Sequence, residues 1–224
     1  QAEETLATAA RGKLHISKVE KKKRKRNPAA PFTTSTLQQE AARKLGFTAK
    51  KTMSVAQQLY EGIDLGGESV GLITYMRTDS VNLAEEALAE IRDYIADKFG
   101  PDNVPKEIRT YKTKSKNAQE AHEAIRPTSV LHEPKANKAH LSKDQFRLYE
   151  LIWKRTIACQ MIHATLDTVA VDLAAGDKHM FRANGSTLVT PGFMAVYQEG
   201  TDDSKKTDDD EKMLPPLEEG QDVT

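Results

Sequence analysis

Residues 71–80, GLITYMRTDS, place a phenol, a guanidinium and a carboxylate within five positions, at Tyr75, Arg77 and Asp79, at the end of an apolar run. A strand repeats every two residues, so Ile73, Tyr75 and Arg77 would share one face and Leu72, Thr74 and Met76 the other. A nucleophilic oxygen then lies beside a permanent charge at a strand exit, where sites are often built. A phenol of reference pKa near 10 is mostly neutral at pH 7, so a nucleophilic tyrosine needs positive charge or a base nearby. Arg77 supplies the charge and a fork that suits phosphate oxygens. On spacing alone, Tyr-x-Arg is weak evidence for catalysis, and a structural hydrogen bond accounts for it better.

A second cluster is AQEAHEAIRP, 118–127. His122 and Arg126 are four apart and share a face, and Pro127 fixes the end of the segment. Such a pair can grip a phosphodiester or move a proton; a capping histidine with a surface arginine accounts for it as well. The six histidines are scattered and no metal-ligand spacing is present. Tyr60, Tyr94 and Tyr149 fall on apolar helix stripes and read as core. Cys159, the one cysteine, lies in an apolar helical run, which predicts a buried thiol in a chain suited to a reducing compartment.

The elements that must position these residues follow from periodicity and punctuation. Residues 13–24 alternate and read as an edge strand running out into a lysine-rich loop, and NPAAP at 27–31 breaks regular structure. A capping box at Thr36 and Gln39 opens a helix that carries Leu37, Ala41 and Leu45 and stops at Gly46. A second helix, 50–61, carries Met53, Ala56 and Leu59, so the two form a helix-turn-helix. A strand over 70–77 follows, then a capping box at Asn82 and Glu85 opens a helix over 83–98 with Leu88, Ile91 and Ile95 inward. Residues 101–121 read as loop, and 142–161 as a helix with Phe146, Tyr149, Trp153 and Ile157 on its apolar face. After His163 the period falls to two, with GD and NG suggesting tight turns, and 200–212 reads as a polar surface loop. The expected fold class is α+β: a mainly helical domain, 34–160, with a helix-turn-helix-like element, inserted between β elements at 1–33 and 161–224 of a second, arch-like β domain.

The 224 residues are 38% hydrophobic and 29% charged, with a formal net charge of zero. That argues against a uniformly basic DNA-binding protein, although charge is unevenly spread: 18–26 is KVEKKKRKR and 202–211 is DDSKKTDDDE. No apolar run approaches the roughly 20 residues that span a bilayer, and no signal peptide opens the chain. It begins without Met and ends on GQDVT, so it reads as an excised piece of something longer.

ITYMRTDS closely resembles the active-site signature of the type IA DNA topoisomerases. PFTTSTLQ at 31–38 looks like a second block of that family and AQEAHEAIRP is similar to a third, in the same order and spacing. The resemblance covers nearly the whole chain, and Met76 between Tyr75 and Arg77 looks like the bacterial topoisomerase I branch. It implies a piece of a four-domain ring, with the helical part similar to domain III and the β parts to domain II, the arch. It implies that Tyr75 attacks single-stranded DNA as the catalytic nucleophile, that Arg77 positions the scissile phosphate, that His122 assists through the phosphate or a proton network, and that Arg126 contacts the DNA backbone; Asp79 and Ser80 would brace the turn. Mg²⁺ would be bound by the acidic Toprim domain, which has no counterpart here, so the piece alone would be inactive. The parent would be a monomeric cytoplasmic enzyme of the bacterial nucleoid acting on negatively supercoiled DNA. The rival expectations are a non-catalytic helix-turn-helix DNA-binding module with a basic arm at 18–26, and a purely structural arch fragment.

Overall fold

The computed structural model describes residues 14–112, 122–175, 179–200 and 218–223. In chain order the elements are β1 (Leu14–Arg26), α1 (Thr34–Leu45), α2 (Ala49–Glu61), β2 (Ile63–Asp64), β3 (Ser69–Val70), α3 (Glu85–Phe99), α4 (Lys143–Cys159), β4 (Ala164–Ala175), β5 (His179–Thr190) and β6 (Asp222–Val223). They divide into a sheet unit and a helical unit, with boundaries at Arg26/Asn27 and His163/Ala164 rather than at the expected 33/34 and 160/161. Residues 27–33 join the helical unit because Phe32 forms a backbone bridge with Ile125 and is 1% exposed. Residues 192–200 also return to it, since Phe193 and Tyr197 are buried there and the Tyr197 hydroxyl donates to Glu40 at 2.6 Å. The sequence assigns that stretch wholly to the β domain.

The sheet unit is antiparallel, in the order β5-β4-β1-β6. β1 pairs with β4 from Leu14↔Ala175 to Arg26↔Ala164, slipping only between Ile16 and Lys18. The basic run is therefore strand, not loop: with a ladder partner for each residue from Lys18 on, the lysines project into water while the backbone is paired. β6 covers only Leu14 and His15, so β1 is an edge over most of its length among the described residues. The NG at 184–185 makes no turn; it lies inside β5 opposite Ala170 and Val169. The expected GD turn and the polar tract from 201 lie outside the described residues.

In the helical unit, α1 and α2 are joined through Gly46, whose φ of 69° is the left-handed region that ends a helix without Cβ strain. Leu37 and Ala41 of α1, Ala56 and Leu59 of α2, Ile91 and Ile95 of α3, and Leu148, Tyr149, Ile152 and Ile157 of α4 are essentially sealed from water. Of the two expected N-terminal capping boxes, one shifts and one does not form. The box on α1 is Thr33 with Thr36. α3 starts at Glu85 after Ala84, with no side-chain cap from its own turn; the Ala84 N–H instead donates to Glu123 at 2.6 Å. A second box, Ser142 with Gln145, opens α4. Among the described residues no helix is long and apolar enough to cross a membrane.

Candidate active site

The chain leaves α2 at Gly62, makes the short hairpin β2–β3 and returns beside the last turn of α2, where the Leu72 N–H donates to the Leu59 carbonyl at 2.7 Å. The expected strand over 70–77 shrinks to Ser69–Val70 plus an isolated bridge from Ile73 to Pro127. The rest has no ladder partner, because its neighbours are the first turn of α1 and the 124–128 loop, which offer scattered hydrogen bonds. From Tyr75 on the two-residue period holds: Tyr75, Arg77 and Asp79 are exposed while Met76, Thr78 and Ser80 are buried. Ile73 departs from the expected face, buried at 1% against the Pro127 bridge.

Two other segments hold this one in place. The Thr34 hydroxyl, at the first turn of α1, donates to the Met76 carbonyl at 2.8 Å, and the Thr34 and Thr78 backbones bond in turn, Thr34 N–H to Thr78 O at 2.9 Å and Thr78 N–H to the Thr34 hydroxyl at 2.9 Å. On the other side, the Thr74 hydroxyl donates to Ala124 O at 2.7 Å and accepts from the Arg126 N–H at 3.0 Å, and Thr74 N–H donates to Arg126 O at 2.9 Å. Ser80 braces the turn by accepting from the Asn82 N–H at 3.1 Å. PFTTST, TYMRTDS and HEAIRP, remote in sequence, are thus one hydrogen-bonded assembly.

Its exposed edge carries Tyr75, Arg77 and Asp79, and among the described residues none of the three makes a hydrogen bond or ion pair. Asp79 therefore does not brace the turn. His122 is also exposed and has no partner among the described residues. Arg126 is placed differently: its guanidinium forms a two-pronged pair with Glu123, at 3.2 and 2.8 Å, and donates to Pro127 O at 2.8 Å, with the side chain 14% exposed. Its fork is occupied within the protein, and it clamps the loop. Glu123, which the sequence did not single out, joins that clamp to the start of α3; its i, i+3 spacing to Arg126 was the available signal.

The tyrosines sort cleanly, and all six lie in described residues. Tyr94 donates to Glu133, Tyr111 to the Cys159 carbonyl, Tyr149 to the His132 carbonyl and Tyr197 to Glu40, at 2.9, 2.8, 2.7 and 2.6 Å. Burial, aided by Glu133 at Tyr94 and by Glu40 at Tyr197, pushes all four phenols well above their ordinary range. Among the described residues, only Tyr60 and Tyr75 keep an unengaged hydroxyl. Tyr60 is not core, as its stripe suggests: it is 41% exposed and meets Tyr75 edge-on, with ring centroids 5.4 Å apart at 64°. Burial also pushes the Cys159 thiol up to about 12. The Mg²⁺ that the resemblance implies finds no set of ligands among the described residues, where no three His, Cys, Asp or Glu side chains converge.

A helical scaffold that presents a phenol to solvent beside an unpaired guanidinium is suited to a phosphate group. The family model described as DNA topoisomerase matches residues 1–224. The chain is 60% identical to DNA topoisomerase 1 of Xylella fastidiosa over 99% of its own length and 28% of the relative's. To DNA topoisomerase 1 of Rickettsia felis it is 56% identical, over 92% of this chain and 26% of that one. Its fold is similar to full-length topoisomerase I from Thermotoga maritima, with a TM-score of 0.79 and 35% identity over 100% of this chain and 34% of that structure. The chain belongs to the bacterial type IA DNA topoisomerases. It spans little more than a quarter of the length of the curated relatives it matches.

Proposed function

We propose that this chain supplies the nucleophile of an enzyme that relaxes negatively supercoiled DNA by transient cleavage of one strand. Tyr75 Oη attacks a backbone phosphorus of single-stranded DNA. The new bond joins Tyr75 to the 5′ phosphate, the bond from phosphorus to the 3′ oxygen breaks, the phenolic proton is lost, and the 3′ oxygen takes one up as a hydroxyl. The other strand passes through the gap, and the 3′ hydroxyl attacks back to free the tyrosine. Bond energy is conserved in the tyrosine ester, so no ATP is needed. Arg77, exposed and unpaired, holds the phosphate oxygens and stabilises their developing charge, and His122 assists through the phosphate or its protons. The sheet unit serves as part of the arch that lets a ring open, and the protein acts as a monomer on nucleoid DNA.

The observation that carries this reading is that, among the described residues, only Tyr60 and Tyr75 have hydroxyls without a partner, and only Tyr75 has an arginine without a partner two residues away. The test is adduct formation by the full-length protein on a labelled single-stranded oligonucleotide. Tyr75→Phe keeps the ring and removes the attacking oxygen, so adduct should vanish. Adduct that survives Tyr75→Phe and maps to another tyrosine defeats the assignment; wild-type protein that binds the oligonucleotide but never forms adduct favours the helix-turn-helix binding module. The 224-residue chain alone is expected not to relax supercoiled DNA, and relaxation by it would refute that division of labour.

A further inference from the structure

We infer that Tyr60 is a positioning residue for Tyr75: its ring sets the direction of the attacking phenol. This rests on the proposal that Tyr75 is the nucleophile. Tyr75 is 49% exposed and its side chain forms no hydrogen bond among the described residues, so nothing polar there fixes its rotamer. Its one ring contact is Tyr60, in the edge-to-face geometry that aromatic quadrupoles favour. Tyr60 itself is left 41% exposed on a helix whose Ala56 and Leu59 are fully buried, so burial does not explain a large ring at that position.

The backbone brings the rings together by construction. The β2–β3 hairpin, whose turn is held by Asp64 accepting from the Gly66 and Gly67 N–H groups at 2.9 Å each, sends the chain back along the end of α2. There Gly71 passes so close that a Cβ on it would stand 2.7 Å from the Tyr60 carbonyl oxygen. A glycine approach, a backbone hydrogen bond from Leu72 to Leu59 and a ring contact thus coincide within one turn. Holding a reacting atom near its line of attack raises the rate of the step it takes part in. An edge-to-face pair of ordinary strength corresponds to roughly a two- to tenfold effect.

The experiment uses the full-length protein and single-turnover cleavage of a labelled single-stranded oligonucleotide at saturating concentration, with oligonucleotide affinity and melting temperature measured alongside. Tyr60→Leu should slow adduct formation by up to about tenfold with affinity within about twofold of wild type, and Tyr60→Phe, which keeps the ring edge, should recover most of the rate. Tyr60→His should fall with Phe and Tyr60→Met with Leu, a ranking by ring rather than by stability. The inference is overturned by an unchanged rate in Tyr60→Leu, by a loss confined to affinity, by Phe being as slow as Leu, or by rates that follow melting temperature. Adduct persisting in Tyr75→Phe would instead sink the nucleophile assignment; a silent Tyr75→Phe with Tyr60→Leu at the wild-type rate sinks the positioning role alone.

Discussion

A phenol in water is a weak nucleophile, and what sets Tyr75 apart is its company. Arg77 spends its guanidinium on nothing within the described residues, whereas Arg126 spends its own on Glu123, Pro127 and Thr128. The two arginines should therefore fail in different ways. Arg77→Ala should leave the denaturation midpoint nearly unchanged and slow single-turnover cleavage by a factor equivalent to about 2.7–4 kcal/mol, by analogy with a lost oxyanion donor; Arg77→Lys should recover only part, because a point charge lacks the fork. Arg126→Ala should cost about 1.5–3 kcal/mol of stability, the worth of hydrogen bonds from a charged group, seen as a lowered urea midpoint. The reverse pattern would exchange their roles. The first arginine was legible because a period of two places it beside the phenol in any extended chain. The second was not, because its role depends on Glu123, whose carboxylate also caps a helix 39 residues away.

Helix existence and helix stops were legible from local chemistry: Gly46, Gly62 and Gly100 end three helices where the sequence puts them. Helix starts were less so. Asn82 and Glu85 have the spacing of a capping box, but the Asn82 N–H is taken by Ser80 and the Ala84 N–H by Glu123, so the helix begins later. The strand expected over 70–77 failed for a related reason: alternation reports which side chains face water, not whether a partner strand is present. What holds that segment is threonine hydroxyls, which pattern cannot reveal. Thr74→Val keeps the shape and deletes the hydroxyl shared by Ala124 and Arg126, leaving polar backbone groups in a part-buried site; a loss of about 1–3 kcal/mol is expected in chemical denaturation. Gly71→Ala drives a methyl group toward the Tyr60 carbonyl, so the return segment must move off α2. It should lower both the melting temperature and the yield of adduct. A Gly71→Ala protein with wild-type cleavage would mean that this close approach is dispensable.

At the scale of the molecule, acidic side chains that are buried in their neutral form set an alkaline limit. Burial raises Cys159 from its ordinary 9.0 to about 12, and raises Tyr94, Tyr111, Tyr149 and Tyr197 above their ordinary 10.0. The unfolded chain loses these protons first, so the stability they contribute is fully present below about pH 9 and is lost as pH rises through the folded values. The urea midpoint should accordingly be level near pH 8 and fall between pH 9 and 11, and the absorbance change of these four phenolates should coincide with unfolding; a midpoint that rises over that interval would contradict the burial of these groups. The same burial gives the chain a practical property. Its one thiol, fully enclosed and donating to the Thr156 carbonyl, should ignore maleimides until the fold opens. A cysteine introduced on an exposed face, such as at Glu86 on α3, would then take a fluorophore or spin label alone, with Cys159 left in place as a silent background and as a built-in reporter of local opening.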